Sequence, residues 1–374
     1  MDITQPLTLL GGLSPQQFMR RHWQKKPLLV RQALPGMRPL LDRAALVALA
    51  GQEDVESRLV AQTPKGWKFR HGPFAPRALP PLRQPRWTLL VQGVDQLDDA
   101  AHRLMNQFRF VPDARLDDLM ISFATDGGGV GPHFDSYDVF LMQVHGQRRW
   151  RISQQKDLTL RDGLPLKILA NFKAEQEFVL EPGDMLYLPP RYAHDGIAIG
   201  ECMTYSVGFR APARAELARE LLLRLADGAD DAAATATAMY RDATQAAVAN
   251  PGAMPEALAQ FAHDAVTAAL RDPKALARAL GEYLTEPKAN VWFEPGRAPL
   301  ALREVRLDRR SRMQYDADHV FINGEAFRAG GRDATLMRRL ADDRCLGPKD
   351  MARASAAARD LLSSWCDVGW VHGT

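Results

Sequence analysis

The stretch Gly127–Asp138 reads GGGVGPHFDSYD, and the chain around it is patterned to present its centre, His133-Phe134-Asp135. Side chains of an extended segment alternate faces with period two, so one intervening residue puts an imidazole and a carboxylate on the same side. Both then reach one ion. An isolated H-x-D pair is weak evidence, because chance turns and surface ion pairs produce it too. Its surroundings strengthen it. Three glycines lead into it, and a second histidine, His194, stands near the end of LEPGDMLYLPPRYAHDG, residues 180–196. There Pro182-Gly183 turns the chain, a strand runs through MLYLP, and Pro189-Pro190 ends it.

Two imidazoles and one carboxylate on one face of a metal, with the other positions open, is the ligand set of non-haem Fe(II) oxygenases. The flanking pattern suits such a site. Short strands are expected at Leu119–Thr125, Val139–Val144, Arg149–Ile152, Glu177–Leu180, Met185–Leu188 and Met203–Phe209, separated by turn signals. Strands so spaced suggest a jelly roll of the cupin kind, whose ligands come from strand ends facing the interior. Upstream, helices are expected over Ser14–Trp23, opened by a Ser cap and Pro15, over Leu40–Leu49 and over Asp95–Phe110. The fold class is α+β.

The segment FLMQVHGQRRWRI, residues 140–152, carries the next requirement. Arg148, Trp150 and Ile152 share one face, and Arg149 and Arg151 the other. An arginine on the apolar, inward face needs an anion, and its planar fork matches a carboxylate bidentately. A metal oxygenase using 2-oxoglutarate needs such a group for the far carboxylate of its cosubstrate. Strand register decides between Arg148 and Arg149, and the reading adopted is Arg148. Thr204 and Ser206, on the strand after His194, add hydroxyl donors for the same carboxylate.

Composition excludes several other classes. With 374 residues and 46% hydrophobic content the chain is globular and multi-domain in size. It has no apolar run of about 18 residues and no leader-like start, so the expectation is a cytoplasmic protein without a membrane partner. Cys202, Cys345 and Cys366 are too scattered for a disulfide framework or a zinc knuckle. No H-E-x-x-H, nucleophile elbow or phosphate loop occurs. Between Ser57 and Val94 there is no acidic residue but seven basic ones, Arg58, Lys65, Lys68, Arg70, Arg77, Arg83 and Arg86. This stretch either contacts RNA or an acidic surface directly or is a solvated loop.

Past Arg210-Ala211-Pro212 the composition turns Ala- and Leu-rich. RAELARELLLRLA places Leu217, Leu221 and Leu225 in one stripe, and helices follow over Pro255–Leu270 and Pro273–Leu284. The run ADGADDAAATATAMY, residues 226–240, breaks or begins a helix. Such helices pack either on a second copy across a twofold axis or on the barrel. From Pro287 on, a hairpin turning at Asn323-Gly324 and two helices, Asp333–Asp342 and Asp350–Trp365, suggest a winged-helix-like module. Its slight excess of basic residues is weak for DNA binding, so an interaction or architectural role is expected. The expected domains are 1–211, 212–285 and 286–374.

GGGVGPHFDSYDVFLMQVHGQRRWRI, EPGDMLYLPPRYAHDGIA and MTYSVGFRAP, with the opening FMRRHWQKKPLLVRQ, resemble the bacterial ribosomal oxygenases. These are JmjC-type cupin proteins that hydroxylate an arginine of large-subunit ribosomal protein sixteen. The resemblance implies a JmjC double-stranded β-helix, a helical dimerisation region giving a homodimer, and a C-terminal winged helix. It implies Fe(II) on His133, Asp135 and His194, 2-oxoglutarate held by Arg148, and dioxygen consumed in hydroxylating an arginine β-carbon. The nearest groups to hold the substrate guanidinium are Asp126, Tyr137 and Asp138, with Asp138 alternatively holding a turn. Two rival readings are an oxygenase with another protein or small-molecule substrate and a non-catalytic cupin-like binding protein.

Overall fold

In a computed structural model, the structure describes residues 2–232, 239–243, 246–247, 252–270, 272–328 and 330–374. The chain divides into two compact units, Met1–Ala211 and Pro212–Thr374. Of the Ala-rich run 226–240 expected to break or begin a helix, residues 233–238 lie outside the described residues.

The first unit opens with helix α1, Pro15–Arg21. A capping box starts it: Ser14 Oγ accepts from Gln17 N at 3.2 Å and Gln17 Oε1 accepts from Ser14 N at 3.1 Å. Strand β1, Leu28–Val30, and helix α2, Arg43–Ala50, follow, the latter capped by Asp42. Then come β2, Ser57–Thr63, β3, Gly66–His71, and β4, Trp87–Val91. The basic stretch is therefore in large part an antiparallel hairpin at the sheet edge, not a loop. Gly66 at φ +108 allows its tight turn.

The helix expected over Asp95–Phe110 is shorter. Asp98 accepts from Ala101 N at 2.8 Å and starts α3 at Asp99, which ends at Met105, with 3-10 turns on either side. Beyond it lie β5, Leu116–Ala124, β6, Val139–Ser153, β7, Gln176–Leu180, β8, Met185–Leu188, and β9, Ala193–Phe209. The strands form one nine-stranded antiparallel sheet in the order β1-β8-β6-β9-β5-β4-β2-β3, with β7 also paired to β6.

One face of that sheet packs on the helices. Phe18 of α1 is fully buried against Phe140 of β6, at 5.4 Å between ring centroids, and Tyr187 of β8, at 4.9 Å. Burying such a ring contributes about 2–3 kcal/mol, and truncating Phe18 to Ala would cost about 3–5 kcal/mol. The opposite face lines the cavity described below.

The second unit begins with three helices, α4, Arg214–Ala232, α5, Glu256–Leu270, and α6, Pro273–Thr285. Leu217, Leu221 and Leu225 of the expected stripe are half-buried, whereas Leu222, Leu223, Phe261, Val266, Leu270 and Leu276 are exposed. Six short strands follow: β10, Val305–Leu307, β11, Met313–Tyr315, β12, His319–Ile322, β13, Glu325–Arg328, β14, Cys345–Leu346, and β15, Val371–Gly373. They make two three-stranded sheets. Helices α7, Gly331–Asp343, α8, Pro348–Met351, and α9, Ala356–Asp367, pack with them around Leu340, Leu362 and Trp365. The helix expected over Asp350–Trp365 is split because Ser355 acts as a cap. Its hydroxyl accepts from Ala358 N at 3.1 Å and donates to Asp333 at 2.5 Å. No described helix is long and apolar enough to cross a membrane.

Candidate active site

The Gly-rich loop lies flat against β9. Gly127 N donates to Ala198 O at 3.0 Å and Ala198 N to Gly128 O at 2.9 Å. A β-carbon at Gly129 would sit 2.4 Å from Gly196 O, so no side chain fits there. This approach delivers His133 to pair with His194 through reciprocal backbone hydrogen bonds of 2.9 and 2.8 Å. The two rings lie 4.2 Å apart, centroid to centroid.

Both imidazoles are oriented in the same way. His133 Nδ1 is 2.9 Å from Gly131 O, and His194 Nδ1 is 2.9 Å from Tyr192 O. A carbonyl only accepts, so each Nδ1 carries the proton and each Nε2 presents a lone pair. Asp135 meets those nitrogens at 4.0 Å and 3.6 Å. Ligand atoms of the three residues all lie within 4.8 Å of one another. Burial pushes His194 down to about 4, with the neighbouring His133 acting in the same direction, so the imidazole stays neutral as a metal ligand must. Two oriented lone pairs and a carboxylate suit a divalent transition metal.

The arginine question is answered by a bulge. Along β6 the cavity-facing residues are first Val139 and Leu141, then Arg148 and Trp150. Pairing with β9 slips on either side of His145, and that slip changes the parity. Gly146, at φ +61, makes it possible, because a β-carbon there would lie 2.0 Å from Glu201 O. Gln143 holds the bulge by donating to His145 O at 2.7 Å and Gly146 O at 3.2 Å, and its Oε1 accepts from Thr204 at 2.9 Å. Arg149 points out and pairs with Glu177 at 3.5 Å.

Arg148 is 5% exposed. Its Nη1 donates to Ser122 Oγ and Thr204 Oγ1, both at 3.1 Å, and its Nε has no partner. No carboxylate of the described residues pairs with it. A buried cation with only neutral partners and an unused donor is incomplete, and an incoming carboxylate completes it. Ser206 lines the same cavity but makes no hydrogen bond to Arg148.

The cavity, of about 280 Å³, is lined by the three candidate ligands, Arg148, Trp150, Ser122, Thr204 and Ser206, and also by Tyr137, Asp117 and Asp118. Burial and the adjacent Asp135 hold the Tyr137 hydroxyl well above the usual phenol range, so it is a donor. Two of the acids expected beside the substrate are elsewhere. Asp126 is exposed and accepts from Gly200 N at 2.9 Å. Asp138 is completely buried and accepts from Tyr187 at 2.6 Å, Gln24 at 3.1 Å and Arg115 at 3.3 Å, so both oxygens are engaged in tying β8 to the turn after α1 and to the residue before β5.

The sequence reading passed over Asp117, Asp118 and Ser122. Their signal is present: Asp118, Met120 and Ser122 alternate along β5, putting polar groups on one face of an otherwise apolar strand. Asp118 also accepts from Gly93 N at 2.9 Å, which fixes its carboxylate at the cavity.

Two family matches cover most of the chain: the JmjC domain over residues 103–217 and the ROXA-like winged helix over residues 268–372. The Escherichia coli protein named ribosomal protein uL16 3-hydroxylase is 43% identical over 203 residues, which are 54% of this chain and 53% of that protein. The alignment thus spans about half the length of this curated relative. An X-ray structure of E. coli ycfD superposes with a TM-score of 0.82 at 30% identity, covering 96% of this chain and 98% of that one. A second structure, of YcfD described as a ribosomal oxygenase in complex with cobalt and 2-oxoglutarate, gives a TM-score of 0.79 at 30% identity and covers 99% of both chains. With a relative of known structure matched along almost its whole length, and a JmjC domain carrying this site, the chain belongs to the JmjC-type ribosomal oxygenase family.

Proposed function

We propose that this protein is an Fe(II)- and 2-oxoglutarate-dependent dioxygenase that hydroxylates the β-carbon of an arginine in a large-subunit ribosomal protein. The observation that carries the proposal is the pairing, in one cavity, of the His133–Asp135–His194 cluster with a buried arginine lacking a counter-charge. The relatives' names, uL16 3-hydroxylase and ribosomal oxygenase, support the substrate class.

In this reading His133, Asp135 and His194 hold the metal on one face and leave the remaining positions facing the cavity. Iron, 2-oxoglutarate and dioxygen together supply oxidation of an unactivated C–H bond. Arg148 binds the far carboxylate of the cosubstrate, with its unused Nε and the hydroxyls of Ser122 and Thr204 fixing the orientation and Ser206 beside them. Asp117, Asp118 and Tyr137, which line the same cavity, form an acidic and phenolic group that suits a guanidinium. With its guanidinium among these groups, the arginine side chain lies along the cavity and presents its β-carbon, which adjoins the backbone, to the metal. The exposed leucines of α4 and the apolar residues of α5 and α6 support pairing of two copies through this region. A ribosomal protein substrate supports a cytoplasmic location for the enzyme.

The test is a uL16 peptide incubated with the protein, Fe(II), 2-oxoglutarate and air. The peptide should gain the mass of one oxygen atom on arginine, and its Arg→Lys version should stay unmodified because a point-charge ammonium cannot replace the planar fork. Equal modification of the lysine peptide or of free arginine would overturn the substrate assignment.

A further inference from the structure

We infer that Trp67 is a positioning residue for His133, acting through the backbone of Gly131; the inference rests on the reading of His133, Asp135 and His194 as metal ligands. Trp67 belongs to β3, the outermost strand of the sheet, where it pairs across from Gln62. Its ring does not line the cavity and belongs to none of the buried apolar clusters. It lies instead behind the ligand loop. An atom at the β-position of Gly131 would sit 3.0 Å from Trp67 Cζ2, 3.3 Å from its Cη2 and 3.1 Å from Ile168 Cδ1. The indole and Ile168 therefore close the space beside this backbone, and Gly131 holds φ +80, a conformation that only glycine adopts readily.

What they hold in place is an acceptor. Gly131 O is the carbonyl 2.9 Å from His133 Nδ1, and it decides which nitrogen of that ring faces the ion and at what angle. The adjoining residue is fixed separately, since Leu169 N donates to Pro132 O at 2.8 Å. Pro132 is thus held by a hydrogen bond and His133 by its pairing with His194. Gly131 has packing from Trp67 and Ile168 at its open side. Removing the indole leaves a void next to the peptide that carries the acceptor, and the loop can then relax into it.

A residue that only stabilised the sheet edge would change the unfolding midpoint and leave metal binding alone. The experiment is a Co(II) titration of the full chain, read by affinity and by the visible absorption of the bound ion, on wild type, Trp67→Ala, Trp67→Leu and Trp67→Phe, with His194→Ala as control. Loss of a group that orients a metal ligand lowers affinity by about tenfold to a hundredfold. The expected order is wild type, Phe, Leu, Ala, with the Ala variant showing an altered Co(II) spectrum and Phe restoring most of the affinity. Wild-type affinity and spectrum in the Ala variant overturn the inference, and if that variant does not fold, the same result in the Leu variant does so. Absence of Co(II) binding in wild type, or unchanged binding in His194→Ala, instead refutes the metal assignment beneath it.

Discussion

The unit Met1–Ala211 buries Asp95, Asp118, Asp138, Asp184, Asp195 and Arg148, whereas among the described residues of Pro212–Thr374 no Asp, Glu, Lys or Arg is buried. Desolvating a charge costs several kcal/mol unless partners replace the water. For the carboxylates the partners are visible. Asp184 accepts from Gln32 N at 3.0 Å, Glu181 N at 3.1 Å and Arg31 at 2.5 Å, and Asp195 pairs with Arg151. Arg148 has hydroxyls only. The contrast teaches that buried charge in the first unit is of two kinds, closed within the fold or left open for a ligand. The second unit offers its surface instead, through the exposed apolar residues of α4, α5 and α6.

The largest expected effect removes an open group. Asp135→Ala should abolish metal-dependent turnover and Co(II) binding while circular dichroism remains that of wild type, because Asp135 sits on a loop and not in the core. Loss of the fold would show that this charge was closed after all. Next comes a closed group: Asp138→Ala should lower the unfolding free energy by about 3–5 kcal/mol in urea titrations, since it strands the partners of a buried carboxylate. A loss below about 1 kcal/mol would erase the distinction.

The third test sharpens the open class. Arg148→Ala should weaken 2-oxoglutarate binding by about tenfold to a hundredfold, the loss of a charge-assisted contact of about 1.5–3 kcal/mol. Arg149→Ala, which removes only an exposed ion pair with Glu177, should stay within about threefold. Calorimetric titration decides, and a reversed order would mean that the bulge at His145 had been misplaced. The smallest cost to stability belongs to the second unit. Leu222→Glu with Leu223→Glu should convert a dimer to monomers in light scattering at under about 1 kcal/mol of fold stability, because both side chains are half exposed. An unchanged mass would remove the surface role from the comparison.

Much of the site was legible because it is local. His133 and Asp135 are two residues apart, and alternation alone puts them together. The Pro-Pro stop before His194 is equally visible. Arg148 is reachable by alternation within QRRWRI, but not from the start of β6, because the slip beside His145 changes the parity and its only mark in the sequence is Gly146 beside Gln143. Nearness in sequence to the H-x-D pair does not bring Asp126 and Asp138 to the cavity. One carboxylate turns outward to Gly200 and the other inward to Tyr187. Apart from Asp135, the acids that line the cavity come from β5, before the loop, and only the sheet order shows that β5 neighbours β9. The hairpin of β2 and β3 was hidden by its charges, which sit on strand positions at an exposed edge.

Strand β9 carries His194 near its start and Thr204 and Ser206 further along, all three on the cavity side. It therefore works as a ruler with fixed graduations. Without a bulge to absorb it, an insertion or deletion of one residue between His194 and Thr204 would turn Tyr205 and Val207 to the cavity side in place of the hydroxyls. The mostly exposed stretch 154–167, between β6 and β7, has no such parity to keep. Evolution of this chain can thus vary the covering of its cavity by changing length, while a one-residue change between its candidate metal and cosubstrate groups needs a bulge like that beside His145 to absorb it.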